Sequence, residues 1–130
     1  MDALTSILFV DPKHLKVSIL GWDIEDALDD DLITIVHRDD DLGVYEFRVG
    51  ELQAIVTVQV SRLPTSERAI YYRSHAIHTP IQATPYHQSR STWDDVPYAL
   101  HQAISSITDY YSDATRAGHA PEEAWLVRQV

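Results

Sequence analysis

Leu52-Gln53-Ala54-Ile55-Val56-Thr57-Val58-Gln59-Val60 is the stretch whose reading decides the fold. Apolar side chains stand at 52, 54, 56, 58 and 60, with Gln53, Thr57 and Gln59 between them and Ile55 as the one exception. Side chains of an extended chain point alternately to opposite faces, so this alternation describes a strand with one buried and one wet face. A buried face needs a covering layer. The cover is supplied by Val96, Leu100, Ala103, Ile104, Ile107, Tyr110, Tyr111 and Ala114, which recur at intervals of three and four and make one apolar stripe over about five helical turns. The sequence therefore predicts an α+β domain spanning residues 1–130, in which an antiparallel sheet lies under one long C-terminal amphipathic helix, as two layers.

Working outward, residues 44–49 alternate as well, with Tyr45, Phe47 and Val49 on one face and Glu46 and Arg48 on the other. Gly50-Glu51 between the two alternating runs predicts a two-residue hairpin. Residues 32–37 are β-rich and end in the turn chemistry of Asp39-Asp40-Asp41 and Gly43. Residues 23–28 predict a helical turn or short helix, and 4–10 and 14–20 read as two strands split at Asp11-Pro12-Lys13, with a helix as the alternative for 4–10. After a loop at 63–67, residues 69–77 read as a further strand, which gives a meander of about four to six strands with sequential neighbours. Residues 78–93 lose the period and carry two prolines, which predicts a long loop. Asp94 or Asp95 caps the helix, Pro97 fits its first turn, and Gly118 ends it. Pro121 opens a last short helical piece, with Trp125, Leu126 and Val130 able to pack back.

A chain of 130 residues, 45% hydrophobic and 23% charged, is long enough to form a core without staples. The absence of cysteine excludes a disulfide framework, a thiolate metal site and a cysteine nucleophile. It fits a reducing compartment, and the expected location is the cytoplasm. Met1-Asp2-Ala3-Leu4 has no basic run before its short apolar stretch, which is unlike a signal peptide or a membrane span.

The formal charge is −10, from 20 acidic and 10 basic residues. Nucleic acid and anionic membranes are therefore not expected as direct ligands. A basic protein, such as one that itself binds nucleic acid, is the expected partner. The triple aspartates Asp29-Asp30-Asp31 and Asp39-Asp40-Asp41 have two readings, as solvated turns or as a phosphate-like surface that occupies a basic groove. Tyr86 and Trp93, on or beside the long loop, are expected to be exposed contact residues for that partner. The wet face of the sheet is a further expected surface, for homodimerisation.

Charge is unevenly spread. Residues 68–93 hold Arg68, Arg73 and Arg90 with no Asp or Glu, inside a strongly acidic chain. That is the pattern of an anion site, for which Tyr71, Tyr72, Arg73, His75, His78, His87 and Arg90 are the candidates. Tyr71, Arg73 and His75 would share one strand face. The competing reading is that these cations pair with nearby acidic turns.

No reaction emerges. His75 and His78, three apart, fall on opposite faces of a strand, and neither a His-Glu-x-x-His pair nor an EF-hand loop occurs, so no metal is expected. Ser74, Ser89 and Ser91 lie near histidines in sequence, but no Gly-x-Ser-x-Gly elbow frames them. The four glycines are scattered, so no phosphate-cradling loop exists and no cofactor is expected. Two functions remain: a non-catalytic interaction protein that binds a basic partner, with inhibition as one form of that binding, or a small enzyme or small-molecule or anion binder using residues 71–93.

Overall fold

The structure, a computed structural model, describes residues 22–88 and 92–129. The two strands expected at 4–10 and 14–20, Arg90 and Val130 lie outside the described residues. The order of elements is helix α1 (Ile24–Leu28), strands β1 (Ile33–Asp39), β2 (Val44–Val49), β3 (Val56–Arg62), β4 (Ala69–Arg73) and β5 (His75–Ile77), helix α2 (Val96–Arg116), a 3₁₀ turn at Glu123–Trp125, and strand β6 (Leu126–Arg128). Strands β1 to β4 form an antiparallel meander in the order β1-β2-β3-β4, and β5 pairs with β6 in a separate antiparallel ribbon. Both pack against α2, so the chain is α+β, helix on sheet.

The inner face is the one read from the alternation. Tyr45, Phe47, Val49, Val56, Val58 and Val60 are buried. They meet Ala99, Leu100, Ala103, Ile104 and Ile107 from α2. Each fully buried Leu, Ile or Val contributes about 1.5–3 kcal/mol relative to exposure, so this layer dominates stability. Asp95 caps α2 by accepting from the Tyr98 N–H, and Pro97 sits in the first turn, where no donor is lost.

Three expectations are corrected. The β2–β3 connection is not a two-residue hairpin at Gly50-Glu51 but spans residues 50–55. The Glu123 carboxylate accepts from the backbone N–H groups of Gln53 and Ala54, which draws those residues off the ladder although Leu52 stays buried. Gly50 lies at φ +51, and an added Cβ would come within 2.1 Å of the Tyr111 hydroxyl, so this turn needs glycine twice over.

The strand expected at 69–77 breaks at Ser74. Its N–H still donates to Thr57 O (2.8 Å), but its Oγ, rather than its carbonyl, accepts from Thr57 N (2.8 Å). The freed Ser74 carbonyl accepts from Gln129 N (2.8 Å), and the chain leaves the main sheet to pair with β6. The last piece is accordingly helical for only one 3₁₀ turn and then becomes β6, with Trp125 and Leu126 buried.

Candidate functional site

Side chains of β4 alternate, which puts Ala69, Tyr71 and Arg73 on the core side and Ile70 and Tyr72 outside. Arg73 is therefore carried under the sheet, where it is 3% exposed. Its Nη1 donates to Ser106 Oγ on α2 (2.7 Å) and its Nη2 to the Tyr86 carbonyl (3.2 Å). The guanidinium carbon lies 6.0 Å from the Tyr71 ring centre and 5.9 Å from that of Tyr86, within cation–π reach of both. Every one of these partners is neutral. Among the described residues no carboxylate pairs with Arg73, and burial pushes its pKa down from the ordinary value. A desolvated charge held only by neutral acceptors lacks the Coulombic return that normally offsets its burial.

Among the described residues, the outer edge of β4 beside Arg73 is paired only at its ends. Ala69 exchanges both backbone hydrogen bonds with Trp93 (2.9 and 2.8 Å), so it faces outward. Ser74 N–H faces inward to β3. In an antiparallel ladder the bonded residues alternate, so the N–H and C=O groups of Tyr71 and Arg73 also point outward. Among the described residues no backbone group meets them; the backbone partners described along this edge are Trp93 at one end and Gln129 at the other. A cavity of about 290 Å³ lies beside them, lined by Tyr71, Tyr72, Arg73, His87, Gln88 and Gln129.

The anion-site candidates thus divide. Tyr71, Tyr72, Arg73 and His87 come together at one cavity. His75 does not share the face of Tyr71 and Arg73, because the break at Ser74 moves it into the β5–β6 ribbon. There its Nδ1 bonds Ser74 Oγ (2.7 Å), and burial followed by the charge of Arg128 pushes its pKa down. His78 serves the loop: its Nε2 meets the Gln82 carbonyl (3.1 Å), while the Gln82 side chain accepts from Thr79 N and donates to Ile77 O. Arg68 follows the competing reading, with Asp94 at 3.6 Å and Thr92 Oγ1 at 3.0 Å. Among the described residues no cluster of three His, Asp or Glu is placed to hold a metal.

The contact-residue expectation fails for Trp93, which is 5% exposed and stacks on Tyr71 at 5.7 Å. Its bridge to Ala69 makes it a sheet component rather than a loop side chain. Tyr86 is half-buried, with its ring 5.2 Å from that of Tyr110.

The aspartates also divide. Asp30 accepts from Leu32 N (2.9 Å) and Asp39 from Leu42 N (3.0 Å), both closing turns. Asp40 accepts from Arg38 and from the Tyr45 hydroxyl (each 3.0 Å). Asp29, Asp31 and Asp41 are exposed, and among the described residues their carboxylates take no hydrogen bond or ion pair. The two runs stand at opposite ends of β1, whose last residue is Asp39, about 20 Å of strand apart.

Ser106, Gln88 and Gln129 complete the cavity and its buried arginine, and residue-type reasoning passed over all three. Ser106 did carry a signal: it stands three residues after Ala103 and four before Tyr110, inside the apolar stripe. No described helix is long and apolar enough to cross a membrane. Comparisons with protein-family models, curated proteins and solved structures found no match to this chain.

Proposed function

We propose that this protein binds a small anionic ligand at the β4 edge, where the ligand supplies the negative charge that Arg73 lacks. The observation that carries this reading is Arg73 at 3% exposure, its guanidinium met among the described residues only by Ser106, Tyr86 and Tyr71. Two of its five N–H donors are engaged, which leaves others for a carboxylate or phosphate oxygen. The cavity sits at the lower end of the size range of ligand sites. Among the described residues lining the cavity no nucleophile is hydrogen-bonded to a base, and the reading is one of binding. Calorimetric titration with acetate, benzoate and inorganic phosphate tests it: saturable binding that disappears in Arg73→Met supports the reading, and equal binding by that variant contradicts it.

A second reading, engagement of a basic protein partner by the acidic turns, is favoured by the exposed carboxylates of Asp29, Asp31 and Asp41, which have no structural task among the described residues. A groove of about 500 Å³ at Asp29, lined also by Glu25, Asp26, Leu28, Ile35 and Arg38, offers both charge and apolar surface. Replacing Asp29, Asp31 and Asp41 with Asn should weaken capture of a basic partner and flatten its salt dependence. Unchanged capture would remove this reading.

A further inference from the structure

We propose that His75 is an acid-sensitive latch: protonation of its ring releases the C-terminal strand β6 from the Ser74 junction while the main sheet stays closed. Ser74 is the residue at which the chain passes from the main sheet to the β5–β6 ribbon. Its N–H donates to Thr57 O, its Oγ accepts from Thr57 N, and its carbonyl accepts from Gln129 N. The same Oγ lies 2.7 Å from His75 Nδ1. A serine hydroxyl has one hydrogen to donate, and among the described residues Nδ1 is the acceptor that meets it. The neutral ring therefore carries its proton on Nε2 and leaves Nδ1 bare.

A proton on Nδ1 reverses that bond. Nδ1–H then faces the Oγ hydrogen, which must turn away and has no other acceptor among the described residues. Both residues are buried, so water does not readily make good the loss. Charge adds a second penalty. Arg128 stands opposite His75 in the β5–β6 register, and like charges directly opposite destabilise a strand pair. Burial first, and Arg128 second, already push the His75 pKa below its ordinary value. Helix α2 also packs against β5, but among the described residues no charged group of α2, and no carboxylate from any element, acts on the ring.

The ribbon is the weaker side of the junction. β5 and β6 pair over three residues, whereas β3 and β4 pair over five. A short two-stranded ribbon is marginal by itself, so it opens before the sheet does. Once β6 has left, the ring regains its ordinary pKa. The released fraction therefore rises as pH falls below 6.5 and is constant well above it.

Native-state amide exchange of the full chain at about pH 7.5 and about pH 5, corrected for intrinsic rates, tests the latch. The reporters are Gln129 N–H, bonded to Ser74 O, and Val60 N–H, bonded to Gly43 O in the main sheet. Protection at Gln129 should fall about threefold or more, to a ceiling of about thirtyfold set by the ordinary imidazole pKa. At the lower pH it should lie at least about tenfold below protection at Val60, which opens with the whole fold. Equal protection at the two sites would mean that β6 leaves only on global unfolding, and no change at Gln129 would mean that the ring does not hold the strand; either result overturns the latch. His75→Asn offers an acceptor that does not titrate, and Gln129 should then lose its pH dependence; a retained dependence also overturns the proposal. One check needs no variant to fold: long-range ¹H–¹⁵N spectra of the unaltered protein at about pH 7.5 should show His75 Nδ1 without a proton, and a proton there contradicts the latch.

Discussion

Two arginines mark opposite edges of one sheet. Arg38 on β1 is partly exposed, and its guanidinium is claimed by Glu25 and by Asp40. Those hydrogen bonds push its pKa up, the one to Glu25 most. Arg73 on β4 is buried, meets neutral acceptors, and has its pKa pushed down by desolvation. The charge that water could have screened is doubly compensated, while the one largely withdrawn from water is left without a counter-ion among the described residues. Surface ion pairs contribute little to stability, whereas a buried unpaired charge costs several kcal/mol. The contrast separates an arginine that completes a turn from one that awaits a partner.

Breaking the Arg73 side should give the largest effect. Ser106→Ala removes the Nη1 acceptor and should destabilise the protein by about 1–3 kcal/mol in urea unfolding, because a buried charged donor is left unmet. Arg73→Met, which removes the charge with the donor, should stay within about 1 kcal/mol of the unaltered protein while losing anion binding. A large loss of stability in Arg73→Met would mean that the guanidinium holds the fold together and is not held in reserve for a ligand. On the other edge, Arg38→Met should cost less than about 1 kcal/mol, and the difference should fade in about 1 M salt.

The smallest effect is with pH. His75 and His101 both have pKa values pushed below the ordinary 6.5, in each case chiefly by burial; Arg128 adds to this at His75, and Asp109 and Asp30 oppose it at His101. A histidine with a depressed folded pKa binds more protons when unfolded, so its contribution is complete above pH 6.5 and is lost as pH falls below that value. Asp109, pushed up mainly by burial, works in the opposite sense but only in the carboxylate range. Midpoints of urea unfolding should therefore fall between about pH 7 and pH 5. His75→Asn should flatten part of that slope.

Much of the body was legible because it follows periodicity. The alternation of 44–49 and 56–60 and the stripe of α2 each encode which side is buried, and burial decides the layer. What escaped was decided by single hydrogen bonds. Nothing local in Ala69 to Ile77 announces that Ser74 Oγ will replace its own carbonyl in the ladder, yet that substitution splits the strand and removes His75 from the Arg73 face. Glu123 capturing the N–H groups of Gln53 and Ala54 is a contact across seventy residues, invisible to any window. The basic, acid-free segment was visible as composition, and it led to Tyr71, Tyr72, Arg73 and His87. Composition could not tell which arginine would be neutralised: Arg68 finds Asp94, and Arg73 does not.

The most direct measurement is a titration of the arginine Nε–H signals in a ¹⁵N-labelled sample with acetate and with benzoate. The Arg73 signal should shift saturably with both ligands while that of Arg38, already paired, stays in place. Equal weak drift of both signals without saturation, or a shift confined to Arg38, would contradict a charge held in reserve at the β4 edge.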